Sequence, residues 1–102
     1  MLLHEIAHAR TGDKGNILTI SLIAYRLKDF RMLEEKVTAE RVAFHFQDII
    51  EGPVQRYTLP QLGALNFVLR RPLSSSVTRS LSLDAHGKCL GSALLAMDVT
   101  DL

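Results

Sequence analysis

Two cationic side chains, a carboxylate and two glycines stand together in Arg10-Thr11-Gly12-Asp13-Lys14-Gly15-Asn16, the densest cluster of chemically capable residues in the chain. A guanidinium presents five donors in a planar fork, and a lysine presents a mobile point charge, so Arg10 and Lys14 suit a carboxylate or a phosphate. Glycine accepts φ > 0 and lets a ligand approach the backbone, so a Gly-x-x-Gly loop here would offer N–H groups to an anion while Asp13 orients a donor. The plainer alternative is a tight connection whose Asp13 and Lys14 bond to their own backbone. The segment is not a phosphate loop of the Walker kind, which needs four residues between its glycines and a Gly-Lys-Ser/Thr ending.

Other polar groups sit inside apolar stretches. Arg56, Tyr57 and Asn66 are candidates to line a cleft with this loop, Tyr57 as a hydrogen-bond donor and Arg56 against an anion. Equally, Arg56 could pair with Asp13 or Asp84 and Asn66 could bond a neighbouring carbonyl. His4 and His8 share a strand face but would lie roughly 13 Å apart at strand rise, too far to ligate one metal. His45 reads as a rim residue and His86 as a solvated turn residue, so no metal is expected. Cys89 would need a thiolate-stabilising neighbour such as Lys88 or His86 to act as a nucleophile, and a small apolar residue is the simpler reading. No Gly-x-Ser-x-Gly elbow supports a serine nucleophile.

The elements that position these groups follow from spacing. Leu2 to Ala9 reads as a strand, and Ile17 to Tyr25 as a second, with a helix opening after the glycines as its rival. Lys28 to Lys36 reads as a short helix or turn. Thr38 looks like an N-cap, with Ala39, Val42, Ala43, Phe46, Ile49 and Ile50 forming one helical face that Gly52-Pro53 terminates. Val54 to Leu59 reads as a strand, and Leu62, Leu65 and Leu69 predict a second helix over Gln61 to Arg70. Ser74-Ser75-Ser76 marks a loop, and Val77 to Leu83 alternates as a strand ending in the turn at Asp84 to Lys88. Cys89 to Val99 is expected as its partner strand, although Leu90, Leu94 and Met97 also suit a helix. The order β-β-α-β-α-β-β indicates an α+β sandwich, a mostly antiparallel sheet with helices on one face.

Composition narrows the partners. One domain of 102 residues, 47% hydrophobic and 23% charged, has the make-up of an ordinary folded protein. A net charge of +1 with scattered basic residues predicts neither nucleic acid nor an anionic membrane as partner. The longest apolar run, Ile17 to Tyr25, is too short to span a bilayer. With no basic, apolar leader and a single cysteine, a reducing cytoplasm is the expected location. Phe44, Phe30 and Met32 exceed what the helical faces need, and surplus apolar side chains often mark a subunit contact.

Four motifs in order carry a family resemblance: His8-Ala9-Arg10-Thr11-Gly12-Asp13-Lys14-Gly15-Asn16, Arg56-Tyr57 with Leu59-Pro60, Ala64-Leu65-Asn66-Phe67-Val68-Leu69, and Arg79-Ser80-Leu81 with Leu83-Asp84-Ala85-His86-Gly87-Lys88. Over roughly Leu3 to Met97 the chain resembles the AtuA-like ferredoxin-fold domain, the small C-terminal module of acyclic terpene utilisation proteins, which also occurs free-standing. The family usually shows Ser where this chain has Thr11, Asn-Ile-Gly where it has Thr19-Ile20-Ser21, and a glycine-rich turn where it has Ser74-Ser75-Ser76. The resemblance implies a ferredoxin-like topology without iron–sulfur chemistry, which one cysteine could not support, and no cofactor is called for. It also implies a place in the breakdown of branched acyl or terpenoid coenzyme A thioesters, beside a larger AtuA-like protein.

Two functions follow as expectations. One is an accessory binding module that associates with that larger protein or with itself as a homo-oligomer. The other is a small oligomeric enzyme acting on an acyl or carboxylate substrate, with Lys14 and Arg10 on the anion and Asp13 or His8 moving a proton.

Overall fold

The computed structural model describes residues 1–70 and 88–99. In chain order its elements are β1 (Ala7–Lys14), β2 (Ile17–Ala24), α1 (Phe30–Lys36), α2 (Ala39–His45), β3 (Gln55–Leu59), β4 (Ala64–Arg70) and α3 (Lys88–Leu95). The strands form one antiparallel sheet in the order β1-β2-β4-β3. The described helices pack on one face of it, so the α+β architecture expected from the sequence stands. The expected loop at Ser74–Ser76, the strand at Val77–Leu83 and the turn at Asp84 lie outside the described residues.

The first hairpin is tighter than the sequence suggests. β1 runs to Lys14, which pairs with Ile17, so only Gly15 and Asn16 make the turn. Gly15 has φ +64° and, among the described residues, no non-glycine residue has positive φ. That combination is the signature of a type II′ turn, whose twist matches the flanking strands and whose first central position favours Gly. Residues 10–14 therefore belong to a strand and not to a Gly-x-x-Gly loop.

Alternation along paired strands sorts the side chains. Leu18, Ile20 and Leu22 of β2 stand opposite Leu69, Phe67 and Leu65 of β4, and all six are buried. This pairing corrects the helix expected over Gln61 to Arg70. Leucines at 62, 65 and 69 fit a helical stripe, but that stripe points Phe67 away from it. As a strand the segment buries Phe67 completely, a contribution of about 2–3 kcal/mol, and releases Leu62 to the surface. A 3-10 turn, Pro60–Leu62, makes the connection instead.

On the core face, α1 lies against β2 and β4, and α3 lies against β1. Thr38 caps α2, its hydroxyl accepting from the Arg41 N–H at 3.1 Å. The helix ends at His45, earlier than Gly52-Pro53 suggested, and its apolar face continues through turns that still bury Phe46 and Ile50. The expected strand from Cys89 is the helix α3, with Leu90 and Leu94 buried one turn apart. Leu2 bridges Asp98, whose carboxylate pairs with the Met1 amine at 3.3 Å, and the Val99 N–H bonds the Met1 carbonyl. The first and last described residues are thereby joined.

Candidate functional site

The strand register that builds the core also decides which polar groups meet on the opposite face, which none of the described elements covers and which is called the uncovered face below. Three rows cross that face near the Gly15 turn. Lys14, Ile17 and Arg70 form the first, and Gly12, Thr19, Val68 and Gln55 the second. The third is Arg10, Ser21, Asn66 and Tyr57, spanning all four strands. At sheet spacings adjacent members of a row lie about 5 Å apart and successive rows about 7 Å apart.

Side-chain size gives this region its relief. Gly12 has no side chain, and long cations flank it two residues away on either side, Arg10 and Lys14. The result is a notch in β1, the outermost of the described strands on that side. A Cβ at position 12 would come within 3.1 Å of Thr19 Oγ1, and that hydroxyl donates to the Gly12 carbonyl at 3.4 Å. A shallow depression of about 300 Å³ lies here, lined by Gly12, Asp13, Lys14, Ile17 and Thr19. Among the described residues, no hydrogen bond or ion pair occupies the Arg10 or Lys14 side chain. None of the uncovered-face positions of the four strands is Asp or Glu. Tyr57 is 52% exposed and its hydroxyl donates to Gln55 Oε1 at 3.3 Å.

The sequence candidates therefore divide. Arg10, Gly12, Lys14, Tyr57 and Asn66 come together on the uncovered face. Thr11 and Asp13 alternate to the other side, where Thr11 meets α3; Asp13 borders the depression but is engaged in a contact of its own. Gly15 and Asn16 form the turn. Arg56 also faces the core side, half-buried, and Nη1 donates to the carbonyl oxygens of Glu34 at 2.7 Å and Val37 at 3.1 Å. It ties β3 to the end of α1 rather than pairing with Asp13. Thr19, Ser21 and Arg70 belong to the face and escape a reading of the sequence. Only strand register reveals them, and Arg70 stands at the end of a segment whose spacing predicts a helix.

His8 lies further along β1, its ring stacked on Tyr25 with centroids 5.2 Å apart. His45 leaves the helix surface to place Nε2 2.8 Å from the Ala93 carbonyl oxygen. Of the surplus apolar residues, Phe30 is buried, Met32 half-buried and Phe44 72% exposed. Among the described residues no group of three or more His, Cys, Asp or Glu side chains is placed to hold a metal, and no helix is long and apolar enough to cross a membrane.

No curated protein and no solved structure matches this chain. The model of the AtuA ferredoxin-like domain matches residues 1–100, and with the antiparallel sheet and one-sided helices already described, the chain belongs to that family.

Proposed function

We propose that the chain is a small accessory binding module that holds a carboxylate or other anion at the Gly12 notch, in the catabolism of acyl or terpenoid coenzyme A thioesters. The observation that carries this reading is the pair of cations, Arg10 and Lys14, with no hydrogen-bond or ion-pair partner among the described residues, on either side of a residue with no side chain. An anion seated there accepts from both cations and has the Thr19 hydroxyl beside it. Association with a larger AtuA-like protein or a second copy is supported by exposed Phe44, Leu27 and Leu62. Catalysis finds less support: Asp13 borders the depression but is engaged in a contact of its own, and His8 is about 13 Å along the strand from Gly12.

Thermal unfolding with coenzyme A esters and free carboxylates, on the wild type and Lys14→Ala, tests the reading. A ligand at a hundredfold excess over its Kd stabilises by about 2.7 kcal/mol, a Tm rise on the order of 10 °C or more for a domain of this size. The rise should grow with ligand concentration and shrink sharply in the variant. Absence of any shift in wild type overturns it.

A further inference from the structure

The uncovered face carries more positive charge than a single carboxylate can use. Lys14 and Arg70 end the row nearest the turn, about 10 Å apart across the sheet, and Arg10 stands about 13 Å from Lys14 along its own strand. These three cations occupy three corners of a tray, with Asn66 at the fourth and Tyr57 one strand beyond it. Its floor is made of the shorter residues Gly12, Thr19, Ser21 and Val68. Arg70 is exposed. Glu51, whose backbone N–H bonds the Arg70 carbonyl at 2.9 Å, makes no ion pair with its guanidinium.

We propose that the ligand of this tray is a small organic phosphate bearing at least two phosphoryl groups, held by Arg10, Lys14 and Arg70 together. This rests on the anion-binding reading above and goes past it in naming the anion. A monocarboxylate occupies one guanidinium fork and leaves two cations facing each other's field across the tray. Phosphoryl groups take bidentate contacts from arginine and a point contact from lysine, and a diphosphate supplies enough negative charge for all three. The depression of about 300 Å³ is too open to enclose a ligand, so affinity must come mainly from charge and hydrogen bonds at its rim. The cations also stop at Arg10. Beyond it the face continues as His8, Ile23, Ala64 and Leu59, with no cation to follow a polymer backbone. A bounded phosphate ester fits this arrangement, and a continuous nucleic-acid strand does not.

Calorimetric titration of the wild type and Arg70→Gln with inorganic diphosphate, ADP, inorganic phosphate, isovalerate and a ten-nucleotide oligouridine tests the inference. Diphosphate and ADP should bind wild type at least tenfold more tightly than phosphate or isovalerate, with affinity falling steeply as salt rises. Arg70→Gln should weaken diphosphate and ADP at least tenfold while leaving isovalerate within twofold. The same Tm for both proteins without ligand shows that the substitution leaves the fold intact. If isovalerate binds as well as diphosphate, and Arg70→Gln alters neither, the phosphate assignment is overturned and the anion-binding reading survives. If no probe binds wild type, both fall. Oligouridine binding more tightly than ADP overturns the small-molecule assignment in favour of a nucleic-acid strand.

Discussion

Gly91 of α3 lies so close to Thr11 of β1 that a Cβ on the glycine would stand 3.1 Å from the threonine Cγ2. Helix and strand thus meet with almost no side chain between them. Gly91→Ala gains about 1 kcal/mol of helix propensity but meets an overpacking cost of about 1–3 kcal/mol. A double-mutant cycle with Thr11→Ser, which removes only that methyl group, separates the two effects. Urea unfolding should give a coupling of at least about 0.5 kcal/mol, with Gly91→Ala better tolerated in the Thr11→Ser background than in the wild type. Additive energies would show that the contact does not limit packing.

Arg56 holds two helix-end carbonyls that would otherwise be partly buried without a donor. Arg56→Met keeps the stem and removes the donors, and should destabilise the fold by about 2 kcal/mol in denaturant titration. Binding of anions to the opposite face should not change.

Thr38→Ala deletes the hydroxyl that accepts from the Arg41 N–H. A loss of about 1 kcal/mol is expected, mostly recovered in Thr38→Ser, and far-ultraviolet circular dichroism during unfolding reads both.

The Gly15 turn should discriminate by backbone geometry. Gly15→Ala places a Cβ at φ +64° and should cost about 1–2 kcal/mol, and Gly15→Asn should cost about as much, because the first central position of a type II′ turn lies outside the left-handed helical region that Asn tolerates. A markedly smaller loss in Gly15→Asn would mean that the turn relaxes into the type I′ form.

The Thr38 helix start, the second strand of the first hairpin and the cationic character of residues 10–14 were legible in the sequence, each through near neighbours: a cap, an alternation, adjacent charges. The first strand was legible only at Ala7–Ala9: Leu3–Glu5 of the expected strand is a 3-10 turn, and Arg10–Lys14, expected as a loop, pair with β2. Ala64–Arg70 was not legible in that way, because its leucines satisfy a helical stripe while Leu65, Phe67 and Leu69 satisfy alternation equally well. What decides is β2, more than forty residues earlier, whose buried side chains need a partner strand. The same long-range pairing hid Thr19, Ser21 and Arg70 from the site and assigned Arg56 to the wrong side of the sheet. Local spacing found the charges. Only register could say which of them share a face.

The clasp between Met1, Asp98 and Val99 sits beyond the Ala7 end of β1, whereas the tray lies toward Lys14, roughly 23 Å away at strand rise. A substitution or label placed at Met1 or Asp98 therefore acts at the opposite end of the sheet from Lys14 and Arg70, and leaves their surroundings unchanged.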